Sequence, residues 1–173
     1  MSDPQVDPSG QLLLYSVRSY SLDDNAGVTQ LHLLDMASGD RRQLTHEGSN
    51  WSGRWSPDGT RIAFLSTRGD SPQIYSLTVK AVGEAERITN HPGGVANMAW
   101  SPKGTHFSFT AEVKLDADVR DRYPDLPKAR AAIFDSLMIR HWDQWREGSY
   151  SHLFVVSADG GPARDLMPGE RYD

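Results

Sequence analysis

Ser56-Pro57-Asp58-Gly59-Thr60-Arg61-Ile62-Ala63-Phe64-Leu65-Ser66 is a turn feeding an alternating apolar strand, and the chain uses this device three times. Asp7-Pro8-Ser9-Gly10 precedes Leu12 to Val17, and Ser101-Pro102-Lys103-Gly104 precedes Phe107 to Ala111. Pro at the second turn position pre-sets φ, and Gly takes the left-handed conformation that returns the chain as a hairpin. A second strand and a Gly-marked hairpin follow each time: Gln30 to Asp35 then Gly39, Gln73 to Val79 then Gly83, His152 to Ser157 then Gly161. Each unit closes on Leu44, Ile88 or Leu166, five residues beyond that Gly. The turns start 49 and 45 residues apart, a period that suits four-stranded propeller blades. The expected fold class is all-β, a partial β-propeller of about three four-stranded antiparallel blades with one helical insertion.

Within the strands, Ile62 and Phe64 alternate with Arg61, Ala63 and Leu65, and Phe107 and Phe109 with His106, Ser108 and Thr110, as expected when one face packs on a neighbouring sheet. Trp55 and Trp100 stand just before the turn in two units, a shared placement that assigns them to packing. We expect one domain over residues 1–173, with blades near 2–45, 46–89 and 90–167 and an insertion near 112–150. Closed rings need about four to eight blades. Leu166 to Asp173 stands where the innermost strand of a fourth blade would begin, so the expectation is a piece of a longer propeller, cut on its C-terminal side. Two blade faces then lack neighbours, and the isolated chain is expected to self-associate or to be poorly stable.

Composition excludes several function classes. The formal net charge is −5 and the basic residues are scattered, which leaves no electrostatic footprint for nucleic acid. No apolar run reaches transmembrane length and the first residues lack the pattern of a signal peptide, so no membrane partner is expected. With the parent protein cytoplasmic, periplasmic or secreted as alternatives, the compartment stays open. There are 0 Cys residues, which removes thiolate metal sites and Cys nucleophiles. No His-Glu-X-X-His site, Gly-rich phosphate loop or cofactor motif occurs, and neither a metal nor a cofactor is expected.

Function is expected where the repeat is interrupted. The second unit joins its middle strands with Thr67 to Pro72, whereas the third inserts the stretch from Val113 to His152; loops of that length are usually functional or flexible. The charge-rich Leu115 to Arg122 is read as a solvated segment. It is a poor calcium loop, because no Gly occupies the sixth position and Pro127 stands where the bidentate Glu belongs. Asp125 as cap, Pro127 in the first turn and Ala129, Ile133 and Leu137 at four-residue spacing predict a short amphipathic helix over 127–138. It runs into Arg140-His141-Trp142-Asp143-Gln144-Trp145-Arg146-Glu147, where Arg140, Trp142, Asp143 and Glu147 are the candidate substrate-binding residues. The structural alternative is that the Trp residues pin the insertion to the blades while Arg140 pairs with Asp143.

Ser2-Asp3-Pro4-Gln5-Val6 before the first turn, Asp24-Asn25 before Thr29 to Leu33, and the Leu137 to Trp145 segment before His152-Leu153-Phe154 resemble the N-terminal propeller of prolyl oligopeptidase family serine peptidases. The Arg140-His141-Trp142-Asp143-X-Trp145 run is most similar to the bacterial dipeptidyl-peptidase and acylaminoacyl-peptidase branch. TolB-like and WD40-like propellers share the blade motifs, so a non-enzymatic, protein-binding TolB-like propeller is the alternative. The resemblance implies a lid and size filter for short peptides over an α/β-hydrolase domain of the same polypeptide, which would supply the Ser, His and Asp. No catalytic residue is expected here: Gly148-Ser149-Tyr150-Ser151-His152 lacks the closing Gly of a nucleophile elbow and precedes a strand. The Glu-Glu pair with which some dipeptidyl peptidases hold a free amine is also absent. Asp143 or Glu147 is a candidate for that role, and dipeptidyl and acylaminoacyl specificity remain alternatives.

Overall fold

The three Pro-X-Gly turns close by one set of bonds. Gly10, Gly59 and Gly104 donate their N–H to the carbonyls of Asp7, Ser56 and Ser101 at 3.0, 2.9 and 2.9 Å, and they adopt φ of 74°, 72° and 68°. The first side chain of each turn bonds the returning strand: Asp7 Oδ1 accepts from Leu12 N (2.7 Å), Ser56 Oγ from Arg61 N (2.9 Å) and Ser101 Oγ from His106 N (3.0 Å). The computed structural model describes residues 1–23, 25–79, 84–126, 128, 140–141, 144–145 and 148–171.

Three four-stranded antiparallel sheets follow one another. The first holds β1 (Ser2–Val6), β2 (Leu12–Ser21), β3 (Ala26–Asp35) and β4 (Arg41–Gln43) in that order. The second holds β5 (Asn50–Trp55), β6 (Arg61–Ser66), β7 (Gln73–Thr78) and β8 (Glu86–Arg87). The third is built from β9 (Ala96–Trp100), β10 (His106–Lys114), β13 (Ser149–Ser157) and β14 (Arg164–Asp165). Between β10 and β13 lie α1 (Val119–Arg122) and a two-stranded ribbon of β11 (Arg140–His141) and β12 (Gln144–Trp145).

The hydrophobic core is a pair of inter-blade layers. Leu14, Leu31 and Leu33 of the first blade meet Ile62, Phe64 and Tyr75 of the second. Ala63, Leu65 and Ile74, from the other face of that second blade, meet Phe107, Phe109, Phe154 and Val156 of the third. The alternation in β6 suggested one packed face; Ile62 to Ser66 are all buried, because the middle blade has a neighbour on each side. One aromatic stack recurs at the same register in each blade: Tyr15 on His32, Phe64 on Tyr75 and Phe109 on Phe154, with centroids 5.6, 6.2 and 5.4 Å apart.

Two stretches differ from the sequence expectation. The hairpin of β2 and β3 is longer than its strand patterns suggested, continuing the pairing out to Ser21↔Ala26. Leu115 to Arg122 is more than solvated chain, since α1 begins there with Asp118 as N-cap. The Asp118 side chain accepts from the N–H groups of Arg120 and Asp121, and the Asp121 side chain reciprocates on the Asp118 N–H. The helix expected over 127–138 lies outside the described residues.

Candidate functional site

The repeat gives the propeller two different rims. On one, the Pro-X-Gly turns stack in a ladder: a Cβ on Gly59 would sit 3.3 Å from Pro8 Cδ, and one on Gly104 would sit 3.3 Å from Pro57 Cδ. On the other, connections between blades meet the loops between middle strands. Thr67 N donates to Ser49 O (3.0 Å) and Val95 N to Pro72 O (2.8 Å). The insertion springs from this second rim, since β10 and β13 stay paired as far as Lys114↔Ser149.

At the root of the insertion, Leu115 N and Asp116 N both donate to Gly148 O, at 2.9 and 3.1 Å. Asp116 accepts from Tyr150 Oη at 2.8 Å and from Arg171 Nη2 at 3.0 Å. Those hydrogen bonds, Arg171 first, hold its carboxyl below the usual range. Asp118 is lowered to about 2 by the Lys114 ammonium and by the helical N–H groups it caps. Of the sequence candidates, Arg140 falls in β11, where its backbone pairs with Trp145. Trp142, Asp143 and Glu147 lie outside the described residues, as does the side chain of Arg140.

Sequence reasoning missed a cleft of about 640 Å³ on the axial side of the first two blades, on the insertion's rim. It is walled by Ser16 and Arg18 of β2, Gly27 and Thr29 of β3, and Trp51, Ser52 and Arg54 of β5, with Ser2, Asp3 and Ser49 closing it. The innermost strand of each blade turns through a left-handed residue at one equivalent place: Asp3, Ser52 and Asn97, with φ of 50°, 53° and 52°. Register shifts accompany them in all three sheets. Such bulges re-aim side chains, and left-handed φ away from glycine is a strained choice that short polar residues bear best. Arg54 crosses the blade boundary to Asp3 at 2.7 Å and also donates to Gly53 O at 2.8 Å. The legible signal was a short polar residue three places before Val6, Trp55 and Trp100.

A second feature hidden in the sequence closes the third blade. In the first two blades a Thr hydroxyl accepts from the backbone and donates to a Gln: Thr45 serves Leu31 N and Gln30, Thr89 serves Ile74 N and Gln73. His152 and Met167 replace that pair. Met167 Sδ receives Leu153 N at 3.4 Å. The fully buried His152 places Nδ1 2.8 Å from Asp165 Oδ2 and Nε2 2.8 Å from Glu170 O. Both neighbours are acceptors, so the geometry calls for an imidazolium, and the Asp165 carboxylate raises the His152 pKa above its ordinary value.

Comparison with known proteins matches this architecture. Residues 1–130 match the family model of the TolB beta propeller domain. Dipeptidyl-peptidase 5 of Porphyromonas endodontalis is 34% identical over 173 residues, covering 97% of this chain and 25% of that protein. The chain thus spans about a quarter of the length of such curated relatives. Among solved structures, the acylaminoacyl peptidase of Pyrococcus horikoshii aligns with a TM-score of 0.74 and 16% identity, over 95% of this chain and 24% of the other. A putative TolB from Agrobacterium tumefaciens aligns with a TM-score of 0.60 and 24% identity, over 93% of this chain and 47% of the other. These two share the fold. No helix among the described residues is long and apolar enough to cross a membrane. The chain belongs to the TolB beta propeller domain family, and the curated proteins it resembles over almost its whole length include dipeptidyl-peptidases.

Proposed function

We propose that this chain is the propeller portion of a serine exopeptidase, where it covers an α/β-hydrolase domain of the same polypeptide and admits short peptides only. The observation that carries this is the 34% identity to a dipeptidyl-peptidase across 97% of the chain. The physical logic is exclusion by size. Two buried inter-blade layers hold the blades face to face, and a ring completed by further blades would keep a folded protein from a nucleophile beneath it while admitting an extended peptide. The chain contains no Gly-X-Ser-X-Gly elbow, so the activated Ser and the oxyanion donors belong elsewhere in the polypeptide.

Two measurements test this. The isolated chain should hydrolyse neither dipeptidyl nor acyl-aminoacyl chromogenic substrates, and turnover surviving rigorous purification would place chemistry in the propeller itself. In the polypeptide that continues into a hydrolase, Asp143 is assigned to the free amine of the substrate. Asp143→Asn should lower kcat/KM about ten-fold for free-amine peptides, the worth of one charge-assisted hydrogen bond. Acyl-blocked peptides should lose less. Equal losses together with a lower Tm would make Asp143 a structural partner of Arg140 instead. A reading frame that ends without a hydrolase would favour the protein-binding TolB-like alternative.

A further inference from the structure

The cleft between the first two blades concentrates hydrogen-bonding capacity that the fold does not use. Arg18 lies over the Tyr20 ring at 5.0 Å, yet among the described residues its guanidinium has no hydrogen bond or ion pair. Glycine makes this placement possible, because a Cβ at Gly27 would fall 2.7 Å from Arg18 Nε. Ser16 is only 3% exposed and lines the cleft; its hydroxyl and that of Ser52 likewise make no hydrogen bond among the described residues. Arg54 commits one nitrogen, Nη1, to Asp3 and Gly53, leaving Nε and Nη2 for another acceptor. An Arg, part of a second Arg and two hydroxyls thus face one water-accessible space with no protein acceptor among the described residues.

We propose that this cleft is a carboxylate-binding subsite, taking the C-terminal carboxylate of a short peptide on Arg18 and on the uncommitted edge of Arg54, with Ser16 and Ser52 completing the contacts. Its identity as a peptide subsite rests on the peptidase function proposed above; its affinity for a carboxylate does not. Guanidinium groups match carboxylates with paired, charge-assisted hydrogen bonds. Arg18 and Arg54 against Asp3 leave one net positive charge among the residues lining the cleft, in a chain whose formal net charge is −5, and that local charge favours an anion. Its volume of about 640 Å³ falls in the range of small-ligand sites. Trp51 supplies an apolar wall for the peptide body. The ion pair of Arg54 with Asp3 and the Trp55 bond to Gln5 lock the two walls together, so the site is formed before a ligand arrives.

An acidic side chain presents the same chemistry as a C-terminus, and three probes separate the sources: acetyl-trialanine as the free acid, its C-terminal amide, and acetyl-Ala-Asp-Ala amide. Titrated against the chain and followed by tryptophan fluorescence and calorimetry, the free acid should bind about ten-fold more tightly than the amide. Arg18→Ala should abolish that preference and Arg18→Lys should keep part of it. Arg18 is exposed, so neither change disturbs the core. An aspartyl peptide binding as well as the free acid would support the carboxylate site and assign it to acidic side chains. Equal binding of acid and amide, or a preference that survives Arg18→Ala, overturns the proposal. In the hydrolase-bearing polypeptide, the ratio of kcat/KM for acid over amide substrates should fall toward one in Arg18→Ala, and an unchanged ratio would equally overturn it. A polypeptide without peptidase activity would instead remove the proposed function, while the probe titration would still decide whether the cleft holds a carboxylate.

Discussion

Trp55 and Trp100 show how a repeated residue serves a repeated contact. Trp55 Nε1 donates to Gln5 O and Trp100 Nε1 to Arg54 O, both at 3.1 Å, so each indole fastens its blade to the innermost strand of the blade before it. Their shared placement before the turn marked them as packing residues. The acceptors sit 50 and 46 residues away in sequence, and no local pattern points to them. Trp55→Phe keeps a ring in the inter-blade layer and leaves the Gln5 carbonyl without its donor. It should cost about 1–3 kcal/mol, the penalty for an unpaired polar group in a partly buried place, and urea denaturation measures it. A loss under about 0.3 kcal/mol would mean that water replaces the indole without penalty. At the same scale Asp58, held at about 2 by the Ser56 hydroxyl and the Thr60 N–H, is a turn residue whose chemistry is spent on its own hairpin.

At the scale of elements, the third blade departs from the repeat where it closes. His152 is raised above the ordinary 6.5 by Asp165, with the Glu170 carbonyl and the charge of Glu112 acting in the same sense. Asp165 is held below its ordinary 3.8: burial, the largest single influence, acts against this, but the bond to His152, the Met167 N–H and the charge of His152 together outweigh it. A raised folded-state pKa on His152 means that its contribution is fully present below about 6.5 and is lost as pH rises through the folded value. The share of Asp165 fails only in acid, as pH falls through its depressed value. Loss of the proton leaves one ring nitrogen facing an acceptor with a lone pair, whichever tautomer forms. The Tm should therefore decline as pH rises above about 6.5 in the native chain and decline less in His152→Gln. That variant should cost about 1–3 kcal/mol near pH 6, and adding Met167→Thr, which restores the Thr and Gln pair of the other blades, should recover part of it. Parallel pH profiles for the native chain and His152→Gln would show that the ring is neutral in the fold. The α1 turn teaches a related lesson. Its Asp118 and Asp121 stand at the spacing of a capping box, but a helix of one turn inside a charge-rich run carries too little periodicity to stand out from solvated chain.

At the scale of the molecule, the middle blade is enclosed on both faces, while the first and third each have one neighbour among the described residues. Val28, Met36, Leu153 and Leu166 remain 40–45% exposed on those outer blades. Exposed apolar surface of this kind seeks a partner, so the isolated chain should self-associate at micromolar concentration or melt without cooperativity. Light scattering and thermal denaturation measure both properties, and a monodisperse monomer with a sharp transition would refute the expectation.

The sequence by itself determined the blades, because turn chemistry and strand alternation are local: Pro57 and Gly59 act within four residues, and Phe64 declares its side of the strand through its nearest neighbours. The same locality made Gly10, Gly59 and Gly104 legible as left-handed turn residues. Only the tertiary structure decided which blade faces are covered, that His152 is locked between Asp165 and Glu170, and that Arg18, Ser16 and Ser52 open on one cleft. These depend on residues far apart along the chain that meet only when blades stack, and a side chain left without a partner there looks no different in sequence from one that has found it.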